Sequence, residues 1–253
     1  HVLETERVML YARFDQPMAP DELAKMRQLV ARRAAGVPVA HLVGRREFWS
    51  LDLVVTADVL VPRPETEVLV EVARRRRSDA QRIIDVGTGS GAALFALLSE
   101  LPEARGFGTE VSPPAAGVAR ENAARLGLAD RAEILVGHLL EPLPPQALPA
   151  ELVVANLPYI PSRALGGLAR EVRDHEPRLA LDGGPDGLEL IRELLPGARE
   201  ALGEDGVLVL EADPEQAPAL RELLEDAGFE DVETARDLAG RDRVTSARRA
   251  AAG

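Results

Sequence analysis

Arg82-Ile83-Ile84-Asp85-Val86-Gly87-Thr88-Gly89-Ser90-Gly91 is the stretch that decides the fold of this 253-residue chain. Arg82–Val86 is a short apolar run of strand type, and residues 91–101 after it have helical character. Glycines between the two let the backbone turn sharply and approach a ligand without Cβ obstruction. The spacing is G-x-G-x-G, which departs from the dinucleotide pattern G-x-G-x-x-G and lacks the Lys-Ser/Thr of a phosphate-binding loop. A plain strand–helix turn would carry the same glycines. Glu110 ends the next strand about 20 residues on, where an acid can accept both hydroxyls of a ribose. The competing reading is a solvent-facing carboxylate at a strand end.

Outward from this unit, short apolar runs go on alternating with helices. Strands are expected at Gly106–Glu110, Ala132–Val136, Leu152–Ala155, Val207–Glu211, Phe229–Thr234 and Arg243–Ala247, and helices at 113–126, 186–202 and 214–228. With Arg82–Val86 they make a seven-stranded α/β sheet of parallel type. Upstream, Phe48, Leu51, Leu53, Val55 and Val59–Val61 suggest a hairpin turning at Thr56-Ala57-Asp58, closed by Pro62-Arg63-Pro64. Glu65 to Arg77 is helical again, with Arg74–Arg77 expected as a solvated end that suits the helix dipole. Residues 1–36 read as helices. Val8, Leu10 and Tyr11 form one apolar cluster, and a second helix starts at Pro20-Asp21-Glu22 and stops near Gly36-Val37-Pro38. The chain does not open on Met and leaves little room there for a full bundle, so a truncated helical region is expected. Glu141–Pro149 reads as a loop.

Composition narrows the chemistry. There is no cysteine, which excludes disulfides, thiolate metal sites and cysteine nucleophiles. His1, His41, His138 and His175 have no metal-ligand spacing, and no metal is expected. Aromatics at 3% argue against a base-stacking platform. No apolar run reaches membrane-spanning length and no signal peptide opens the chain, so a cytoplasmic, membrane-free protein is expected. Net charge is −12, and residues 182–239 hold 17 Asp/Glu against 4 Arg. A protein gripping a phosphate backbone shows a basic face instead, so this stretch is read as a solvating acidic face.

Asn156-Leu157-Pro158-Tyr159 follows the strand Leu152–Ala155 and faces the same crevice as the glycine loop, because ligands of open α/β sheets sit beyond the carboxyl ends of strands. An Asn carboxamide oxygen and the next backbone carbonyl can both accept from one planar NH₂ group. The tetrapeptide therefore suits an amide or an exocyclic amine held with its π face toward an electrophile. A simple turn is the alternative.

Asp85–Gly91, Glu110 and Asn156–Tyr159 resemble the motifs of class I S-adenosylmethionine methyltransferases that act on planar nitrogen. The chain further resembles the release-factor glutamine methyltransferases (the PrmC/HemK family). Segments from Gly44 to Trp49, Val59 to Glu67, Ala119 to Ala123, Glu171 to Pro177, Ala180 to Leu188 and Asp237 to Arg243 carry this likeness over nearly the whole sequence. The resemblance implies a Rossmann-like methyltransferase sheet, a small N-terminal helical substrate-docking domain (1–43, truncated), a β-hairpin linker (44–64) and the methyltransferase domain (65–253). It implies methylation of the glutamine side-chain amide in the Gly-Gly-Gln motif of peptide-chain release factors. S-adenosyl-L-methionine would be the donor, leaving S-adenosyl-L-homocysteine, and the protein would be a monomer without direct nucleic-acid contact.

By the same resemblance, Gly87, Thr88, Gly89, Ser90, Gly91, Glu110, His138, Leu139 and Asn156 bind cofactor. Asn156, Leu157, Pro158 and Tyr159 carry catalysis, with Tyr159 packing on the planar amide. Two positions depart from the family pattern. Leu157 replaces the usual proline but supplies the same carbonyl, and Pro158 keeps it extended. Gly137-His138-Leu139 stands where an acid and a large apolar residue are usual. A neutral His138 can accept from the adenine amino group through one ring nitrogen, or else point outward. An adenine-N6 nucleic-acid methyltransferase and an inactive cofactor-binding homologue are the alternative readings. Pro62–Glu67 is divided between lining the entrance and bracing the hairpin.

Overall fold

A computed structural model describes residues 1–5 and 7–250. Three helices lead: α1 (Arg7–Ala12), α2 (Pro20–Ala34) and α3 (Val39–Val43). Proline at N1, Asp21 and Glu22 in the first turn and Arg32 and Arg33 in the last suit both ends of α2. Glu22 reaches back to accept the Ala19 N–H at 2.7 Å. No residue of α2 is buried.

The hairpin follows as β1 (Arg45–Phe48) and β2 (Leu51–Val54). It reverses at Trp49-Ser50, with φ of 52° and 59°, and not at Thr56-Ala57-Asp58 as expected. Left-handed geometry at both central residues matches strand twist in a two-residue turn, whatever the side chains there suggest. Val59–Val61 form no strand. Val55 and Val59 are apolar because they pack on Ala115 and Val118.

The remainder alternates as expected. A 3₁₀ turn at Pro64–Thr66 leads into α4 (Glu67–Arg76), then β3 (Arg82–Val86), α5 (Ala92–Glu100), β4 (Arg105–Glu110), α6 (Pro113–Arg125), β5 (Ala132–Val136) and β6 (Ala150–Ala155). After α7 (Arg170–Arg173) come α8 (Glu189–Ala201), β7 (Leu202–Glu211), α9 (Ala217–Asp226), β8 (Phe229–Arg236) and β9 (Asp242–Arg249). Sheet order is β5-β4-β3-β6-β7-β9-β8. Five strands run parallel, and β9 lies antiparallel between β7 and β8.

Side-chain parity builds two cores. Ile83, Leu152, Val154, Val207 and Val209 face α4 and α5, while Ile84, Val153, Ala155, Leu208 and Leu210 face α8 and α9. Residues 92–98 of α5 are all buried, which explains a helix apolar on every side.

Arg74–Arg77 are not simply solvated. Arg74 pairs with Glu100, Arg76 with Asp231 and Glu233, and Arg77 with Asp79. Part of the acidic stretch neutralises these arginines.

Candidate active site

Chain order reverses around β3, with β4 on one side and β6 on the other, and a crevice opens beyond their carboxyl ends. The loop after β3 folds over β4, the Gly87 and Thr88 amides both donating to the Thr109 carbonyl at 2.9 Å. Gly91 then opens α5 with φ of 84°. Asp85, buried at the end of β3, accepts from the Thr88 hydroxyl at 2.6 Å. Burial pushes its carboxyl up to about 6 in spite of that bond.

Glu110 ends β4 and is buried. One carboxylate oxygen accepts from Gly89 N–H at 3.0 Å and the other from Ser112 N–H at 2.9 Å. Each keeps further acceptor capacity, and the residue lines the crevice. It is therefore not a free surface carboxylate: the group that fastens the glycine loop also fits a ribose diol.

After β5, Gly137, His138 and Leu139 line the same crevice. His138 Nε2 lies 2.8 Å from a Glu193 carboxylate oxygen on α8. A carboxylate facing Nε2 favours the tautomer with its proton there, which leaves Nδ1 as the acceptor of the neutral ring.

Asn156, Leu157 and Pro158 follow β6 and line the crevice. Asn156 Nδ2 donates to the Thr66 hydroxyl at 3.1 Å, so its Oδ1 is left for a ligand. The Leu157 side chain is buried in the core on the α8 face, and its Cδ2 would lie 3.0 Å from a Cβ added at Gly87. The absence of that Cβ makes room for leucine where the family pattern has proline.

Two of the expected residues are not on the crevice wall. Gly91 lies beneath the Phe95 ring. Tyr159 is half-buried: burial pushes its phenol up to about 12, and Glu211, Arg243, Asp213 and the crevice residue Arg63 stand near it. Its carbonyl accepts from Gln216 Nε2 at 2.9 Å, and the same amide donates to the Asp186 carbonyl at 3.0 Å. Ile160 pairs with Leu181 and Gly183 through backbone bonds of 3.0 and 2.9 Å. Gly187 has φ of 83°, and a Cβ there would stand 2.1 Å from the Tyr159 carbonyl oxygen. Residues 182–187 are thus a cradle for the Asn156 loop.

The crevice mouth joins the segments 59–67 and 171–188. Pro62, Arg63 and Thr66 line one side, and Pro177, Leu179 and Ala180 the other. Arg63 Nη2 meets Glu176 Oε1 at 2.6 Å across the gap. Glu176 is buried, its other oxygen is unpartnered, and burial raises its carboxyl. Sequence reading left Thr66 and Glu176 without chemistry. It missed Glu211 altogether: the carboxylate at the end of β7 is buried, both oxygens lack a closed hydrogen bond, and burial pushes it up to about 7. Its one visible signal was an acid ending an apolar strand.

The PrmC N-terminal domain profile matches residues 1–44, and a methyltransferase domain profile matches residues 83–175. A release factor glutamine methyltransferase of Geobacter sulfurreducens is 46% identical over 97% of this chain and 85% of its own length. A protein of the same name from Moorella thermoacetica is 47% identical over 94% of this chain and 84% of its own. A methyltransferase structure from Pyrococcus furiosus superposes with a TM-score of 0.58 at 16% identity, covering 89% of this chain and 98% of that one, a likeness of fold.

Proposed function

Because the chain belongs to the release factor glutamine methyltransferases, we infer that its crevice methylates the side-chain amide nitrogen of a release-factor glutamine, the Gly-Gly-Gln residue of that motif, with S-adenosyl-L-methionine as donor. The residues present fit that donor. Glu110 retains acceptor positions for a ribose diol, the glycine loop offers close backbone approach, and His138 Nδ1 with Leu139 suits an adenine edge and face. When bound, the cofactor supplies a methyl group on a sulfonium, which makes that carbon electrophilic.

What remains for the protein is positioning. An amide nitrogen is a poor nucleophile because its lone pair is delocalised. Asn156 Oδ1 and the Leu157 carbonyl accept the two amide N–H bonds, fix the plane of the group and favour charge building on nitrogen. Pro158 holds Leu157 extended, and the cradle at 182–187 fixes the loop from behind. Exposed Leu179 at the mouth offers apolar contact to an incoming peptide loop. The N-terminal helices, with Val8, Tyr11 and Val30 exposed, and the turn carrying exposed Phe14 are the docking element for the release factor. Arg33 on α2 reaches Glu171 at 2.5 Å, tying that element to the segment that ends at the crevice mouth.

The observation that carries this reading is Asn156, anchored through its nitrogen with its oxygen spare, in a chain similar to these enzymes over nearly its full length. Incubation of a release factor with the protein and S-adenosylmethionine should add one methyl to the Gly-Gly-Gln glutamine, read by peptide mass spectrometry. Asn156→Ala should slow transfer by about 100-fold or more, as loss of a preorganised contact to the reacting group does. Transfer unchanged in Asn156→Ala would sink the assignment of that residue.

A further inference from the structure

We propose that Arg63 grips a main-chain carbonyl of the peptide loop that carries the glutamine, and that Glu176 is the positioning residue that aims it. The inference rests on the methyl-transfer reading above and deepens it. Prolines restrain the Arg63 backbone from both sides. Pro62 has its own φ locked by the ring, and Pro64 keeps Arg63 extended, at φ −95° and ψ 143°. The Arg63 carbonyl then accepts from Thr66 N–H at 3.1 Å, so Arg63 and the threonine that anchors Asn156 share one turn. Arg63, Thr66 and Asn156 all line the crevice. The guanidinium therefore belongs to the part of the crevice that receives the substrate amide.

Glu176 supplies the aim. Its side chain is 1% exposed and meets Arg63 Nη2 at 2.6 Å, while the arginine side chain keeps 32% exposure. Breaking such a pair leaves a charge uncompensated in the interior, so the contact fixes the guanidinium in place. Glu176 takes one of the five N–H groups that a guanidinium carries, and no other group accepts from this side chain among the described residues. Donors are thus left free at the mouth, and their charge is already balanced from behind. Such a group suits a neutral carbonyl better than a second carboxylate, which would compete with Glu176 for it. Two glycines offer no side chain to recognise, so their carbonyls are the acceptors nearest the glutamine. Arg63 is the one Arg or Lys that lines the crevice among the described residues.

The test measures methyl transfer to a release factor by Arg63→Ala, Arg63→Lys, Glu176→Gln and the Arg63→Ala, Glu176→Gln double variant. Melting temperature and calorimetric affinity for S-adenosylhomocysteine are recorded for each. Arg63→Ala should lower kcat/KM for the release factor by about tenfold or more, as loss of a charged donor does, with cofactor affinity within about twofold. Arg63→Lys keeps a charge beside Glu176 and with it the fold, but lacks the planar fork that serves two partners, and should lose most of the same rate. Should Arg63→Ala melt below the assay temperature, the lysine variant carries the comparison. Glu176→Gln should lower kcat/KM by about threefold or more, yet by less than about twofold when Arg63 is already alanine, because it acts through the arginine. A wild-type rate in Arg63→Ala or Arg63→Lys, or a Glu176→Gln loss as large without Arg63 as with it, would overturn the proposal. So would a tenfold loss of S-adenosylhomocysteine affinity in Arg63→Ala, which would give the guanidinium to the donor's own carboxylate. Absence of transfer by the unaltered protein would instead overturn the reading beneath it, and the grip on the peptide with it.

Discussion

Gly91 sits where an added Cβ would fall 2.0 Å from Phe95 Cε2, at a φ of 84° that side chains rarely adopt. Both faults act together in Gly91→Ala, which should cost about 2–4 kcal/mol of stability from overpacking and backbone strain. Thermal melting would show it, and a melting point equal to wild type would mean that Phe95 repacks freely. Glu110→Gln keeps the shape but turns two acceptors into one and places an NH₂ against a backbone N–H. Cofactor affinity should fall by about tenfold or more, since hydrogen bonds to a charged acceptor are the strong ones. Calorimetry decides it. Both of these residues were legible in the sequence, because glycine spacing and an acid at a strand end report directly on backbone needs. Glu211 also ends an expected strand, yet its burial depends on elements packed around it from distant parts of the chain, and no local pattern encodes that.

At the level of elements, Asn122 on α6 explains a segment that the sequence marked only by resemblance. It is fully buried. Its Oδ1 accepts from Val54 N–H at 2.7 Å, and its Nδ2 donates to the carbonyls of Val54 and Ser90, each at 3.0 Å. One side chain thereby pairs with the edge of β2 as a neighbouring strand would, and holds the glycine loop as well. Asn122→Ala leaves three backbone groups unpaired and should destabilise by about 3 kcal/mol or more, taking desolvation of each into account. Denaturant titration would measure it, and a loss below about 1 kcal/mol would show that water replaces the amide there. The expected hairpin existed, but its turn lay seven residues upstream. Alternating apolar residues from Phe48 to Val55 read as one strand, and only the left-handed pair Trp49-Ser50 breaks it.

Across the whole molecule, the acidic region is less a coat of free charge than composition suggested. Asp205, Glu230, Asp231 and Glu233 meet Arg248, Arg75 and Arg76, so the −12 charge includes many internally paired groups. Fold class, strand number and the gathering of loop residues beyond β3, β5 and β6 were all readable, since periodicity and motif order determine them. Charge pairing was not, because it depends on which helix end meets which strand. Glu211 and Asp85 are the acids raised furthest by burial and pull stability down as pH rises, while His41, lowered by burial, works in the opposite sense. Glu211 and Asp85 are raised to about 7 and about 6, so the folded protein holds protons that the unfolded chain releases from about pH 4 upward. Their contribution to stability is greatest at the acid side and is lost as pH rises to about 7, by up to about 3 kcal/mol for Glu211. Calorimetric melting should therefore give a higher transition temperature near pH 5.5 than near pH 8, and Glu211→Gln should flatten the difference. An unchanged slope in that variant would assign the effect elsewhere.

The position of β9 has a consequence for biosynthesis. Among the described residues it is the last strand in chain order, yet it lies inside the sheet between β7 and β8. While a nascent chain is still on the ribosome, everything up to β8 can emerge, but the ladder from β7 to β8 has no bridging member. Arg243, one of the charges around Glu211, arrives with that strand. Completion of the sheet and arrival of Arg243 beside Glu211 are thus a single, late, non-local event, of the kind that makes a fold slow and vulnerable until synthesis has passed residue 249.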